Sequence, residues 1–245
     1  EAAAGRDIVF TNLTDGPALK SVILGAAGVL EADPLPKLLV DLATVSPMES
    51  AEIAGALEAR GVGFLRAPVS GTAVVAAAGK LTIMASGDRA VYEAAAPYLD
   101  ILGKTRYYVG PGEDARYLKL IHQIMVASIM QVWAEGLVMG EKAGLDWDIM
   151  LEVLSASAVG SQVVTGKAPS LAARVYDKPA MSMHNIAKDL DLALGSAAEL
   201  DVELPATRRI REVYAAAIAD GLEWKDYSAV VLELEKLAGL EPKEG

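Results

Sequence analysis

The feature that most constrains this chain is a change of pattern near residue 112. Upstream, short apolar runs alternate with helix-like segments; downstream, nothing resembles a strand. Residues 8–13 form an apolar run that reads as a buried strand and ends in the turn-forming Thr14-Asp15-Gly16-Pro17, with a helical stretch over 18–24. Residues 37–42 are again largely apolar, as parallel strands are when both faces are covered. They lead into Thr44-Val45-Ser46-Pro47-Met48-Glu49, where Ser46 and Glu49 form a capping box and Pro47 takes the first helical position, predicting a helix to about Arg60. Further strands are expected over 63–65, 81–85 and 105–109, and a helix over 88–99. Such alternation signals an α/β layer with at least some parallel pairing. After Gly110-Pro111-Gly112, helices are expected over 113–143, 146–156, 181–200, 206–220 and 226–239, with Asp146 and Asp226 as N-caps. The chain therefore divides into an α/β part, 1–112, and an all-α part, 113–245.

Composition narrows the function. With 22 Lys and Arg against 33 Asp and Glu, the net charge is −11. That balance argues against nucleic-acid partners and against anionic membranes, which both need basic footprints. No cysteine is present, which removes disulfides, thiolate nucleophiles and Cys-based metal sites, and two dispersed histidines argue against a metal site built from imidazoles. The most membrane-like stretch, 120–139, is interrupted by His122, Gln123, Gln131 and Glu135 and reads as a buried core helix. The opening residues lack a secretory signal, so a cytoplasmic protein is expected.

Lys119 is the most informative single residue. It lies on a helix that is apolar almost all round, with His122 and Gln123 at i+3 and i+4 on the same face. Desolvation moves a lysine pKa toward neutrality and suits it to general acid/base work; a lysine snorkelling to solvent is the plainer alternative. Thr44 sits after an apolar strand, where open α/β sheets bind ligands, although an ordinary strand–helix turn explains it equally. Ser70-Gly71-Thr72 offers backbone N–H groups and two hydroxyls that could hold a carboxylate, or is a plain turn. Lys188-Asp189 reads as a solvated charge pair, His184 as a structural or surface residue, and the three tryptophans as core or interface. The glycine patterns match no phosphate-cradling motif.

Taken in order, these pieces resemble the β-hydroxyacid dehydrogenase family, which includes 3-hydroxyisobutyrate dehydrogenase, tartronate semialdehyde reductase and glyoxylate/succinic semialdehyde reductase. The resemblance rests on Asp41-Leu42-Ala43-Thr44-Val45-Ser46-Pro47, Ala67-Pro68-Val69-Ser70-Gly71-Thr72, Gly79-Lys80-Leu81, Gly110-Pro111-Gly112, Lys119 and Lys188-Asp189-Leu190, and it covers nearly the whole chain. It implies a Rossmann-type NAD(P) domain joined by a long helix to an all-helical substrate and dimerisation domain, and a homodimer or homotetramer. It implies that Lys119 is the catalytic acid/base, that Ser70, Gly71, Thr72, His122 and Gln123 bind a small carboxylate-bearing substrate, and that Leu13, Thr14, Thr44 and Lys188 contact NAD or NADP. No metal is implied.

Four positions depart from the family pattern. Arg66 stands for the usual aspartate, Ala43 for a serine, Thr72 for a second glycine and Gln123 for an asparagine. A family member also opens with a strand, a Gly-x-Gly-x-x-Gly turn and a helix, so the resemblance implies about 60 residues, at about 30 per βαβ unit, ahead of Glu1. The expected activity is interconversion of a small hydroxy acid and its semialdehyde or keto form by hydride transfer. The rival is a catalytically idle oligomerisation or binding module on the same scaffold; an imine-type reductase is less favoured, since that branch lacks the lysine retained here as Lys119.

Overall fold

The computed structural model describes residues 2–241. The chain divides into two compact units, Glu1–Ile121 and His122–Gly245.

The first unit is a six-stranded sheet with helices on both faces. Its elements are β1 (Ile8–Thr11), α1 (Gly16–Leu24), β2 (Leu38–Asp41), α2 (Pro47–Glu58), β3 (Gly63–Arg66), β4 (Val69–Ser70), α3 (Ala73–Ala77), β5 (Thr82–Gly87), α4 (Arg89–Leu102) and β6 (Thr105–Gly110). The strand order is β1-β2-β3-β5-β4, with β6 on the other edge of β5. β1, β2 and β3 are mutually parallel, as are β5 and β6. β3 and β4 run antiparallel to β5 in one continuous register, Leu65 opposite Gly87 through Ser70 opposite Thr82. Pro68, which has no N–H to donate, separates the two strands.

Alternation along β2 shows why both faces must be covered. Leu39 packs into a core with Leu19, Ile23, Ile53 and Leu57 from α1 and α2. Its neighbour Val40 joins Tyr92, Ala95 and Leu99 of α4 on the opposite face. Strand side chains alternate by half a turn, so two consecutive apolar residues need two covering layers. β1 differs from the buried strand expected over 8–13. It lies at the sheet edge, Ile8 and Val9 are half-buried and Phe10 is exposed, because one flank and part of one face lack a covering element among the described residues.

Among the described residues the second unit is built from helices. α5 (Asp114–Lys142) begins in the first unit and continues through it; α6 (Trp147–Ala156), α7 (Gln162–Ala173), α8 (Met183–Glu199), α9 (Pro205–Ala217) and α10 (Val230–Leu237) follow, with a short π segment over Ile218–Leu222 and a 3-10 turn over Tyr227–Ala229. Its core gathers Met130, Trp133, Leu137, Leu171, Met183, Ile186, Leu190, Tyr214 and Val230. On α8 the buried Met183, Ile186, Ala187, Leu190, Ala193 and Ala197 recur at helical spacing and define one inward face. α5 has the length and a mean hydropathy of 1.2 that a membrane span needs, yet half of that window is buried within its own protein. α7 was not expected from the sequence, because Gly166 and Pro169 break its pattern. Trp133 lies in this core, whereas Trp224 is exposed and stacks on His184 at 4.8 Å, which of the two expected places, core and interface, leaves it the second.

Candidate active site

In the first unit the ordered ends of three strands assemble around the start of α5. Lys119, on the second turn of that helix, is buried, and its ammonium donates to the Val69 carbonyl at 2.9 Å. That bond brings Lys119 against the strand that leads directly into Ser70-Gly71-Thr72. Ser70 ends β4, Gly71 has a φ of 145° that disfavours any side chain, and Thr72 is the N-cap residue of α3. Gly71 and Thr72 are both solvent-exposed. A cation, a hydroxyl and exposed backbone within a few residues can grip a carboxylate.

The other two turns follow adjacent parallel strands. After β1, Leu13 is half-buried and Thr14 bonds the carboxylate of Asp15, which also caps α1 by accepting from the Ala18 amide at 2.8 Å. After β2, Thr44 is half-buried just ahead of the α2 cap, where Ser46 Oγ accepts from the Glu49 amide at 3.1 Å. The two helix starts lie side by side, since a Cβ on Gly16 would meet the Glu49 carboxylate at 2.0 Å. Both turns therefore open at the carboxyl end of the sheet, the edge where α/β sheets bind ligands.

Beneath these turns lie two buried arginines that the sequence reading did not single out as site residues. Arg116, on the first turn of α5, is fully buried; it donates to Asp41 Oδ2 at 2.6 Å, to the Ala43 carbonyl at 2.6 Å and to Ser50 Oγ at 3.1 Å. Asp41 in turn accepts from Thr11 Oγ1 at 2.6 Å. Arg66, at the end of β3, pairs with Glu113 and lies over the Phe64 ring at 4.7 Å. The available signal was a charge where a strand reads as buried on both faces: Asp41 and Arg66 each end such a strand, and a charge placed there requires a partner.

The second unit carries its own polar cluster. Gln123 is buried; its amide nitrogen donates to Asp189 Oδ2, while its oxygen lies 2.9 Å from His122 Nδ1. The Lys188 ammonium stands 2.9 Å from Asp189 Oδ1 in a contact that is ionic rather than a directed hydrogen bond. Asp189 is only 4% exposed, so the expected solvated charge pair is corrected: burial of the carboxylate on α8 makes it the centre of the cluster. An acceptor-only carboxylate also fixes which end of the Gln123 amide faces it.

Residues 1–110 match the family model of the NAD-binding domain of 6-phosphogluconate dehydrogenase, and residues 114–234 match that described as the NAD-binding domain of NADP-dependent 3-hydroxyisobutyrate dehydrogenase. Glyoxylate/succinic semialdehyde reductase 2, chloroplastic, from Arabidopsis thaliana is 34% identical over 96% of this chain and 65% of its own length. The 2-hydroxy-3-oxopropionate reductase of Escherichia coli is 33% identical over 95% of this chain and 79% of its own. Among solved structures, a 3-hydroxyisobutyrate dehydrogenase from Salmonella typhimurium superposes with a TM-score of 0.84 at 28% identity, covering 92% of this chain and 79% of that one. The chain thus spans a little under two thirds of the first of these relatives and about four fifths of the others. An α/β Rossmann-type sheet followed by a helical unit is the architecture of NAD(P)-dependent dehydrogenases and reductases. Within that class, the chain belongs to the β-hydroxyacid dehydrogenase family.

Proposed function

We propose that this chain carries the acid/base and substrate-binding machinery of an NAD(P)-dependent oxidoreductase that interconverts a small hydroxy acid and its semialdehyde or keto form. The observation that carries this reading is Lys119, buried on α5 and bonded to the Val69 carbonyl beside Ser70-Gly71-Thr72. In the reducing direction its ammonium gives a proton to the carbonyl oxygen of the substrate, and in the oxidising direction the amine takes the hydroxyl proton. Ser70, Gly71 and Thr72 hold the substrate carboxylate. His122 and Gln123, three and four residues beyond Lys119 on the same helix, orient the rest of it.

The turns at Leu13, Thr14 and Thr44 fit the nicotinamide–ribose end of the dinucleotide, which is uncharged when reduced and cationic when oxidised. A diphosphate suits them less, because Asp15 and Glu49 already supply negative charge at both helix starts. We assign Leu13, Thr14, Thr44 and Lys188 to NAD or NADP, which when bound carries the transferred hydride. In this reading residues 1–112 are the C-terminal portion of the NAD(P)-binding domain, and 113–245 form the substrate and dimerisation domain. The relatives named as semialdehyde and oxopropionate reductases support a small carboxylate-bearing substrate.

Replacing Lys119 with alanine in the full-length protein is expected to lower turnover by about 10²- to 10⁴-fold over a panel of 3-hydroxy acids and semialdehydes, assayed with both cofactors. Unchanged turnover would overturn the assignment. We also infer a cytoplasmic homodimer or homotetramer: Ile121, Met125, Val132 and Met139 of α5 are exposed apolar side chains at helical spacing. Light scattering that returns the monomer mass at micromolar concentration would remove that part of the proposal.

A further inference from the structure

Arg116 lies one helical turn before Lys119, and its side chain is fully buried. Its guanidinium reaches three places at once: Asp41, the last residue of β2; the carbonyl of Ala43, immediately before Thr44; and Ser50 on α2. Through Asp41 the same network takes in Thr11, the last residue of β1. One side chain therefore ties the ends of two adjacent parallel strands and the start of α2 to the helix that carries Lys119. The planar fork fixes the position and the rotation of α5 against the Thr44 turn, which an ammonium, acting as a point charge, does not do.

Stability alone gives a weak reason for such a pair. Two desolvated charges are expensive, and replacing a buried ion pair by neutral groups of similar volume is often neutral or favourable for folding. The partners it selects point elsewhere, because the Ala43 carbonyl has no need of a charged donor and precedes the residue assigned to the nicotinamide. We infer that Arg116 and Asp41 form a positioning pair that sets the Thr44 turn against Lys119, so that the hydride and proton sites are held at one fixed separation. This inference rests on the function proposed above. Neither residue touches substrate; they act through the turn and the helix.

The test compares the full-length wild type with Arg116→Met, Asp41→Asn and the double variant. Each single variant leaves one buried partner uncompensated, so the double variant is the informative protein. It is expected to fold with a melting temperature close to that of the wild type. Backbone amides over residues 42–46 should exchange with deuterium at least tenfold faster, while those of β3 are unchanged. Its kcat should fall 10- to 100-fold with a smaller change in the substrate KM, and the isotope effect with 4-deuterated reduced cofactor should rise. The two singles should be no more than additive with each other in that loss.

A double variant that folds with wild-type exchange at 42–46 and wild-type kcat overturns the inference. Failure of the double variant to fold overturns it as well, since the pair is then a folding requirement. Wild-type protein that turns over no hydroxy acid or semialdehyde instead refutes the proposed function, and the exchange measurement still reads the coupling by itself.

Discussion

At the scale of single residues, burial decides what each charge can do. That Lys119 and Gln123 share one face of a helix was legible from spacing alone, because i and i+4 on a helix are neighbours whatever surrounds it. Asp189 was not. A Lys-Asp dipeptide on an amphipathic helix reads as a solvated pair, and only the packing of α8 turns the carboxylate inward to 4% exposure and onto Gln123. Asp189→Asn replaces an ionised acceptor by an amide whose orientation is no longer fixed. Losing that charge-assisted bond is expected to raise the substrate KM about tenfold with little change in the pH profile of kcat, read by steady-state kinetics. A wild-type KM would show that the Gln123 amide needs no such anchor.

At the scale of elements, the two turns that flank the site make opposite demands on sequence. The α2 start was readable from the sequence: Ser46 caps the Glu49 amide and Pro47 follows, with the Glu49 carboxylate accepting from Ser46 Oγ at 3.1 Å. Ser46→Ala should cost about 1 kcal/mol of stability, measured as a lowered midpoint in urea, and leave the Thr44 turn in place. The Ser70-Gly71-Thr72 turn depends on a backbone conformation. At a φ of 145°, an added Cβ on Gly71 would approach Leu81 at 2.7 Å and Val75 at 2.9 Å. Gly71→Ala is therefore expected to raise the substrate KM by about tenfold, or about 1.4 kcal/mol in binding, without affecting the KM for cofactor. β4, α3 and α7 escaped the sequence reading for one reason. A two-residue strand, a five-residue helix and a helix containing Gly166 and Pro169 are too short or too interrupted to show a period.

At the scale of the whole molecule, the second unit has buried phenols that link its stability to alkaline pH. Burial pushes Tyr176 up to about 12 from 10.0, and Tyr214 and Tyr227 also lie well above the ordinary phenol value. Above pH 10 the unfolded chain releases these protons while the folded chain retains them. Stability is therefore undiminished below pH 10 and falls as pH rises through 12. Tyr176 contributes about 2 to 3 kcal/mol of that loss at about 1.4 kcal/mol per pH unit. Tyr176→Phe should leave the melting temperature at pH 7 nearly unchanged, since the Tyr176 hydroxyl has no partner among the described residues, and should flatten the alkaline decline. An equally steep decline in the variant would assign the titration to other groups.

The change from strand–helix alternation to helices, the capped entry to α2, the Lys119 face of α5 and, through ordered motifs, the family can all be read along the chain. Each of these is local: a period, a cap or a short spacing that a chain expresses without distant help. The half-exposed edge at β1, the burial of Asp189 and the reach of Arg116 from α5 to Asp41, Ala43 and Ser50 come from folding in three dimensions. Those contacts join residues far apart in the chain, and whether a charge is solvated or buried depends on which elements close over it. That is set by packing, and a linear pattern carries no record of it.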